Sequence, residues 1–195
     1  MRPLACGYVA LPETIALIVA AGQGTRARAN ALSVPKQYLR VSGKPVLRWA
    51  AEAFLRHPRI DGVQIVFNPA DADIYWKTVH SSDLRAPVAG GATRQESVRC
   101  GLRAIQSASG TSNTRQVLIH DGARPFLSAA LIDRVVEALA DSDAVLPALP
   151  IADTLREKRD DGQAIVPREN LLRAQTPQGF RFDAICGAHE RFADE

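Results

Sequence analysis

Cysteine, long apolar runs and clustered positive charge are all scarce in this 195-residue chain. The three cysteines, Cys6, Cys100 and Cys186, lie far apart and form no C-x-x-C. That argues against a disulfide framework and a zinc site and points to a reducing cytoplasm. No apolar run approaches the length of a membrane span, so no membrane partner is expected. The net charge is only +3, and no Lys/Arg block interleaves with aromatics, so nucleic acid is not the expected partner either. The four histidines include no H-E-x-x-H, and no G-x-S-x-G occurs. Residues 1–13 read as a loose extension rather than a signal, because Pro12 and Glu13 break the apolar stretch.

What is present begins at Ile15. A β-branched run ends at Ala20, Ala21, Gly22 and Gly24, then Arg26, and later Pro35-Lys36-Gln37. A buried strand feeding a glycine loop offers bare amides at the carboxyl end of a sheet, where anions bind. Two cations beside such a loop suit a polyphosphate. A Walker loop is excluded, because the only Gly-Lys, at Gly43-Lys44, is followed by Pro45. Gly22, Gly24 and Ala27 match G-x-G-x-x-A on paper. The expected helix and acidic partner are missing, since Val63–Phe67 ends at Asn68. The nucleotidyltransferase pattern G-x-G-T-R…P-K accounts for both glycines, Arg26 and Lys36 together. A plain turn with two surface cations leaves that shared spacing without a reason.

With 46% hydrophobic residues the chain can bury one sizeable core, in one domain. Strands are expected at Ile15–Ala20, Val63–Phe67, Gln116–His120 and Ala144–Leu149. Helical spacing links Val46, Trp49, Ala50, Ala53 and Phe54. Thr93 and Glu96 form a capping box, and Ser128 caps the helix carrying Leu131, Ile132, Val135, Val136 and Leu139. This rhythm predicts an α/β fold, a mostly parallel sheet with helices on both faces, binding its ligands at the strands' carboxyl ends. Ser107–Thr114 reads as an exposed loop, and the charged segment 151–176 as a protruding arm.

His120-Asp121-Gly122-Ala123-Arg124-Pro125 closes the third strand. Asp121 suits Mg²⁺ or a substrate hydroxyl, and Arg124 suits a phosphate through its fork. His120 reads as a packed neighbour. Gly90-Gly91 precedes the capped helix, whose N-terminus can receive a base edge or a phosphate.

In order, A-A-G-Q-G-T-R, P-K-Q-Y-L, G-G-A-T-R-Q-E-S-V, H-D-G-A-R-P, D-T-L and T-P-Q-G-F occur along the chain. Together they resemble the 2-C-methyl-D-erythritol 4-phosphate cytidylyltransferase family, over residues 14–195. The resemblance implies a Rossmann-like, nucleotide-diphospho-sugar-transferase-like domain, CTP and Mg²⁺ as requirements, and a homodimer joined through the arm. It implies that Arg26 and Lys36 stabilise the transition state. Ala20, Ala21, Gly22, Gly24, Gly91, Arg94 and Ser97 would form the CTP pocket. Asp121, Arg124 and Thr154 would contact methylerythritol phosphate, with Asp121 also near the metal. Arg168, which would position the attacking phosphate, and Thr176 would reach the neighbouring subunit's site. Gly122 stands where the family usually has alanine. The family pattern runs on past Glu195 into a strand and helix bearing a phosphate-positioning lysine, so an incomplete domain is expected. Some members are fused to a 2-C-methyl-D-erythritol 2,4-cyclodiphosphate synthase domain, and a truncated bifunctional chain fits that. A ribitol-5-phosphate cytidylyltransferase and a non-catalytic CTP-binding remnant are the alternatives.

Overall fold

The computed structural model describes residues 13–22, 34–108 and 114–192. The apolar run forms β1 (Glu13–Ala20). A short hairpin, β2 (Arg40–Val41) and β3 (Lys44–Pro45), turns through Gly43 at φ +77°, a conformation strained for any side chain. Then come α1 (Val46–Leu55), β4 (Gly62–Phe67), α2 (Ala72–Thr78) and β5 (Val88–Ala89). After them follow α3 (Arg94–Ala108), β6 (Thr114–Asp121), α4 (Ala129–Ala138) and β7 (Ala144–Val145). The last elements are β8 (Ala148–Pro150), β9 (Leu155–Arg159), β10 (Gly162–Val166), β11 (Leu172–Ala174), β12 (Gln178–Arg181) and α5 (Phe182–Arg191).

The main sheet has six strands in the order β5-β4-β1-β6-β12-β7. β1 lies at its heart, parallel to β4 and to β6. A parallel strand covered on both faces must be apolar at every position, which is why β1 reads as a continuous run rather than an alternation. Ile15 and Leu17 pack on one face with Val98, Leu102 and Ile105 of α3 and Phe182 of α5. Ala16, Ile18 and Ala20 pack on the other with Leu47 and Phe54 of α1, Tyr75 of α2 and Ile132 of α4. Helices therefore cover both faces, as the sequence pattern requires. Gly101 of α3 lies so close to β1 that a Cβ there would sit 2.4 Å from a Leu17 methyl.

Several expectations need correction. Ala144–Leu149 is not one strand: Pro147, which has no N–H to give a ladder, separates β7 from β8. The freed Pro147 carbonyl accepts from Gln175 N at 2.8 Å instead. The expected Ser107–Thr114 loop is shorter than that, because Ser107 still belongs to α3 and Thr114 already belongs to β6; its centre lies outside the described residues. The expected extension over residues 1–13 also lies outside them, save for Glu13, which opens β1. Strand β12 had no strand signature, yet it pairs antiparallel with both β6 and β7. Beyond the sheet stand two ribbons, β8 with β11 and the hairpin β9–β10. Their residues are mostly exposed. Thr176, just past β11, is instead buried at 8% exposure. Among the described residues, no helix is long and apolar enough to cross a membrane.

Candidate active site

The site starts where β1 ends. Three successive carbonyls there are pinned: Val19 by Gly122 N at 2.9 Å, Ala20 by Gln37 Nε2 at 3.0 Å, and Ala21 by Asn68 Nδ2 at 3.3 Å. Ala20 and Ala21 are buried, whereas Gly22 is exposed. A Cβ on Gly22 would meet nothing within 4 Å among the described residues. Gly24 and Arg26 lie outside the described residues. Lys36 is exposed and opens a single 3-10 turn, Lys36–Tyr38. The next residue, buried Gln37, ties this turn to the end of β1. Lys36 is thus held beside the strand exit although the 15 residues 21–35 intervene.

The second glycine loop folds onto the first. Gly90 N donates to the Phe67 carbonyl at 2.8 Å. A Cβ on Gly90 would lie 2.3 Å from the Ala21 Cβ and 2.8 Å from Ser97 Oγ, so only glycine permits this approach. Ser97 is buried, and its hydroxyl donates to the Thr93 carbonyl at 2.9 Å. The expected capping box is present: Thr93 Oγ1 accepts from Glu96 N at 3.1 Å, and the Glu96 carboxylate accepts from Thr93 N at 3.1 Å. Glu96 also takes Ala92 N at 2.7 Å. These amides already face a carboxylate, which removes the phosphate option at this helix start and leaves it to an uncharged group. A Cβ on Gly91 would press on that same Glu96 side chain.

Between the two loops sits Asp121, the last residue of β6. Arg94, from the first turn of α3, places its Nη2 3.2 Å from Asp121 Oδ1. Arg124 places its Nε 3.2 Å from Asp121 Oδ2. Arg124 also donates from Nη1 to Gln175 Oε1 at 2.8 Å. One carboxylate therefore joins a residue expected in the nucleotide pocket to one expected at the acceptor. The adjacent His120 is 1% exposed; its ring meets the Thr176 hydroxyl through Nδ1 and the Arg124 carbonyl through Nε2, both at 2.9 Å. Burial disfavours the charged form of the ring and pushes its proton affinity below the ordinary value of 6.5. Thr176 Oγ1 in turn lies 3.4 Å from Asp121 N. Arg124 and Thr176 line an open cleft of ≈370 Å³, with Phe126, Arg134, Leu149 and Gln175 among its other walls. That is room for a small organic phosphate.

The remaining expected residues lie apart from this cluster. Thr154 is exposed on the segment leading into β9. Arg168 donates to the Ala152 carbonyl, which keeps it near Thr154 on the projecting ribbons. Thr176 was expected to serve a neighbouring subunit, but it is buried against His120 and Asp121 of its own chain. Gln37 and Gln175 were not chosen as site residues from the sequence. Each flanks a residue that was chosen, and nothing local distinguishes a buried amide from a surface one.

The family model described as 2-C-methyl-D-erythritol 4-phosphate cytidylyltransferase matches residues 14–195. A protein of Rhizorhabdus wittichii named bifunctional enzyme IspD/IspF is 48% identical over 182 residues, covering 91% of this chain and 44% of its own length. One of the same name from Rhodospirillum rubrum is 46% identical, covering 92% of this chain and 45% of its own. The chain thus spans less than half the length of these curated relatives. Among solved structures, the 2-C-methyl-D-erythritol 4-phosphate cytidylyltransferase of Thermus thermophilus is 35% identical with a TM-score of 0.70, over 92% of this chain and 75% of that one. A 4-diphosphocytidyl-2C-methyl-D-erythritol synthase superposes with a TM-score of 0.76 at 31% identity, over 93% of this chain and 80% of that one.

Proposed function

The chain belongs to the 2-C-methyl-D-erythritol 4-phosphate cytidylyltransferase family, and on that premise we propose that it transfers CMP from CTP to 2-C-methyl-D-erythritol 4-phosphate. The products are 4-CDP-2-C-methyl-D-erythritol and pyrophosphate, in non-mevalonate isoprenoid precursor synthesis. The observation that carries this reading is the Arg94–Asp121–Arg124 cluster, set between two glycine loops at the carboxyl edge of a parallel sheet.

An oxygen of the acceptor phosphate attacks the α-phosphorus of CTP in line. A new P–O bond forms, the bond from the α-phosphorus to the bridging oxygen breaks, and pyrophosphate leaves with that electron pair. The nucleophile is already an anion, so no general base is required. The barrier lies in bringing two anions together and in the charge growing on the leaving group. Exposed Lys36, held beside the β1 exit, and Arg26 neutralise that charge. Ala20, Ala21, Gly22 and Gly24 pass the triphosphate close to bare backbone. Gly91, Arg94 and Ser97 form the nucleotide's other wall, where the amides taken by Glu96 favour an uncharged base edge. Asp121 and Arg124 take the acceptor's hydroxyls, with Thr176 beside them. Thr154 and Arg168, on the projecting ribbons, serve the site of a second copy in a homodimer, where Arg168 positions the attacking phosphate.

Mg²⁺ is the proposed metal. It needs only one or two protein carboxylates when phosphates supply its other ligands. Asp121 is a donor of that type, and its oxygens would be freed for the ion when Arg94 and Arg124 turn to incoming phosphates. When bound, the ion neutralises phosphate charge. A cytoplasmic location fits these substrates.

The test is pyrophosphate release from CTP and Mg²⁺, run with methylerythritol phosphate and ribitol 5-phosphate side by side. Release with the first alone is expected. Release with ribitol 5-phosphate alone overturns the acceptor assignment, and silence with both overturns the activity.

A further inference from the structure

The buried imidazole of His120 has a hydrogen-bond logic that the reaction scheme does not use. Its Nε2 faces the Arg124 carbonyl at 2.9 Å. A carbonyl oxygen only accepts, so Nε2 carries the hydrogen. In a neutral ring Nδ1 is then bare and can only accept. Thr176 Oγ1, 2.9 Å away, must therefore turn its own hydrogen toward Nδ1. The hydroxyl oxygen keeps its lone pairs for the Asp121 amide, 3.4 Å off, and for whatever lies beyond. The ring itself is fixed by the Phe54 edge, with centroids 5.3 Å apart at 74°. Two segments more than 50 residues apart, the Asp121–Arg124 turn and the return from the ribbons, are thus joined through one side chain.

We propose that His120 is a positioning residue for the acceptor side of the site. It holds the Arg124 backbone and fixes the Thr176 hydroxyl with its proton turned inward. Thr176 then presents only lone pairs to the cleft. It accepts from a substrate hydroxyl and does not donate to a phosphate oxygen. This role rests on the cytidylyltransferase reading.

Two variants separate the two bonds. His120→Asn keeps an amide oxygen near the Nδ1 position, so the Thr176 hydroxyl retains its acceptor. His120→Gln reaches the Nε2 position and keeps a donor for the Arg124 carbonyl, but frees the Thr176 hydroxyl. Steady-state kinetics on the full chain should show the acceptor KM rising roughly 5–10-fold in His120→Gln, the worth of one hydrogen bond. In His120→Asn, which gives up only the bond to the Arg124 carbonyl, the rise should be smaller, and the CTP KM should hardly move in either. In a Thr176→Val background, His120→Gln should add nothing further. Ring ¹⁵N shifts of the unmutated protein should report the Nε2–H tautomer, whatever the variants do. An Nδ1–H tautomer overturns the proposal. So does an active wild type whose Asn and Gln variants lose both substrates alike. A wild type silent with methylerythritol phosphate sinks the activity assignment first, and this role with it.

Discussion

The carboxyl edge of the sheet and the projecting ribbons carry the two halves of one expected site, and they are built in opposite ways. At the sheet edge the polar groups are tied within the chain. The β1 carbonyls are pinned from three directions, and Asp121 is shared by two guanidinium groups. On the ribbons Thr154 stands exposed, and Arg168 is held by a backbone carbonyl. On the proposed reading, preorganisation is thus concentrated where charge builds during reaction. On the same reading, the ribbon side chains serve a site outside their own fold. Substitutions at the sheet edge should therefore change stability, activity or both, while substitutions on the ribbons should change activity alone.

The largest separation should come from the apolar residues. Leu17, fully buried in β1, should cost about 2–5 kcal/mol as Leu17→Ala in urea unfolding. Ile165, 69% exposed on β10, should stay within about 0.5 kcal/mol as Ile165→Ala. Equal losses would erase the contrast. Next comes Lys36→Ala, which should lower kcat/KM by about 3 kcal/mol of transition-state stabilisation with an unchanged urea midpoint, because Lys36 is exposed. An unaltered rate removes Lys36 from the chemistry.

Arg168→Ala should cost about 1.5–3 kcal/mol in kcat/KM, the range for a hydrogen bond to a charged group, again with stability intact. Mixing Arg168→Ala chains with Lys36→Ala chains sharpens this further. If sites are completed across a dimer, the mixture recovers activity that neither variant has alone; no recovery places both residues in one chain's site.

The smallest effect is electrostatic and belongs to the sheet edge. The folded protein holds His120 neutral, so its stabilising effect is complete above pH 6.5 and is lost as pH falls through the lowered folded value. Melting temperature should drop across that acid window more in the native protein than in His120→Asn. Parallel curves would assign the acid sensitivity elsewhere.

The same contrast explains what could be read without coordinates. β1, β4 and β6 were legible because parallel strands buried on both faces are uniformly apolar, and the start of α3 because its capping box is a local pattern. β12 was not: Gln178–Arg181 is short, holds Gly179, and becomes a strand only by pairing with β6, about 60 positions away in sequence. Helix α2 is only seven residues and shows no stripe strong enough to announce itself. In the site, Arg94, Asp121 and Arg124 stood out as motif residues. Their shared carboxylate did not, since the Arg94–Asp121 pair spans 27 positions. Gly122 matters for the same reason. A Cβ there would sit 2.8 Å from a Leu47 methyl of α1, and no neighbour in sequence reveals that crowding.

The missing Cβ of Gly101 has a mechanical consequence. With the helix seated against a Leu17 methyl, α3 cannot slide toward β1, and any lift away from the sheet opens a void at the centre of one core layer. Its first turn is in effect a fixed bearing. On the proposed reading, Arg94 would then pass from Asp121 to a ligand by rotating its own side-chain bonds, through nanosecond swings of a lever rather than the slow displacement of a helix.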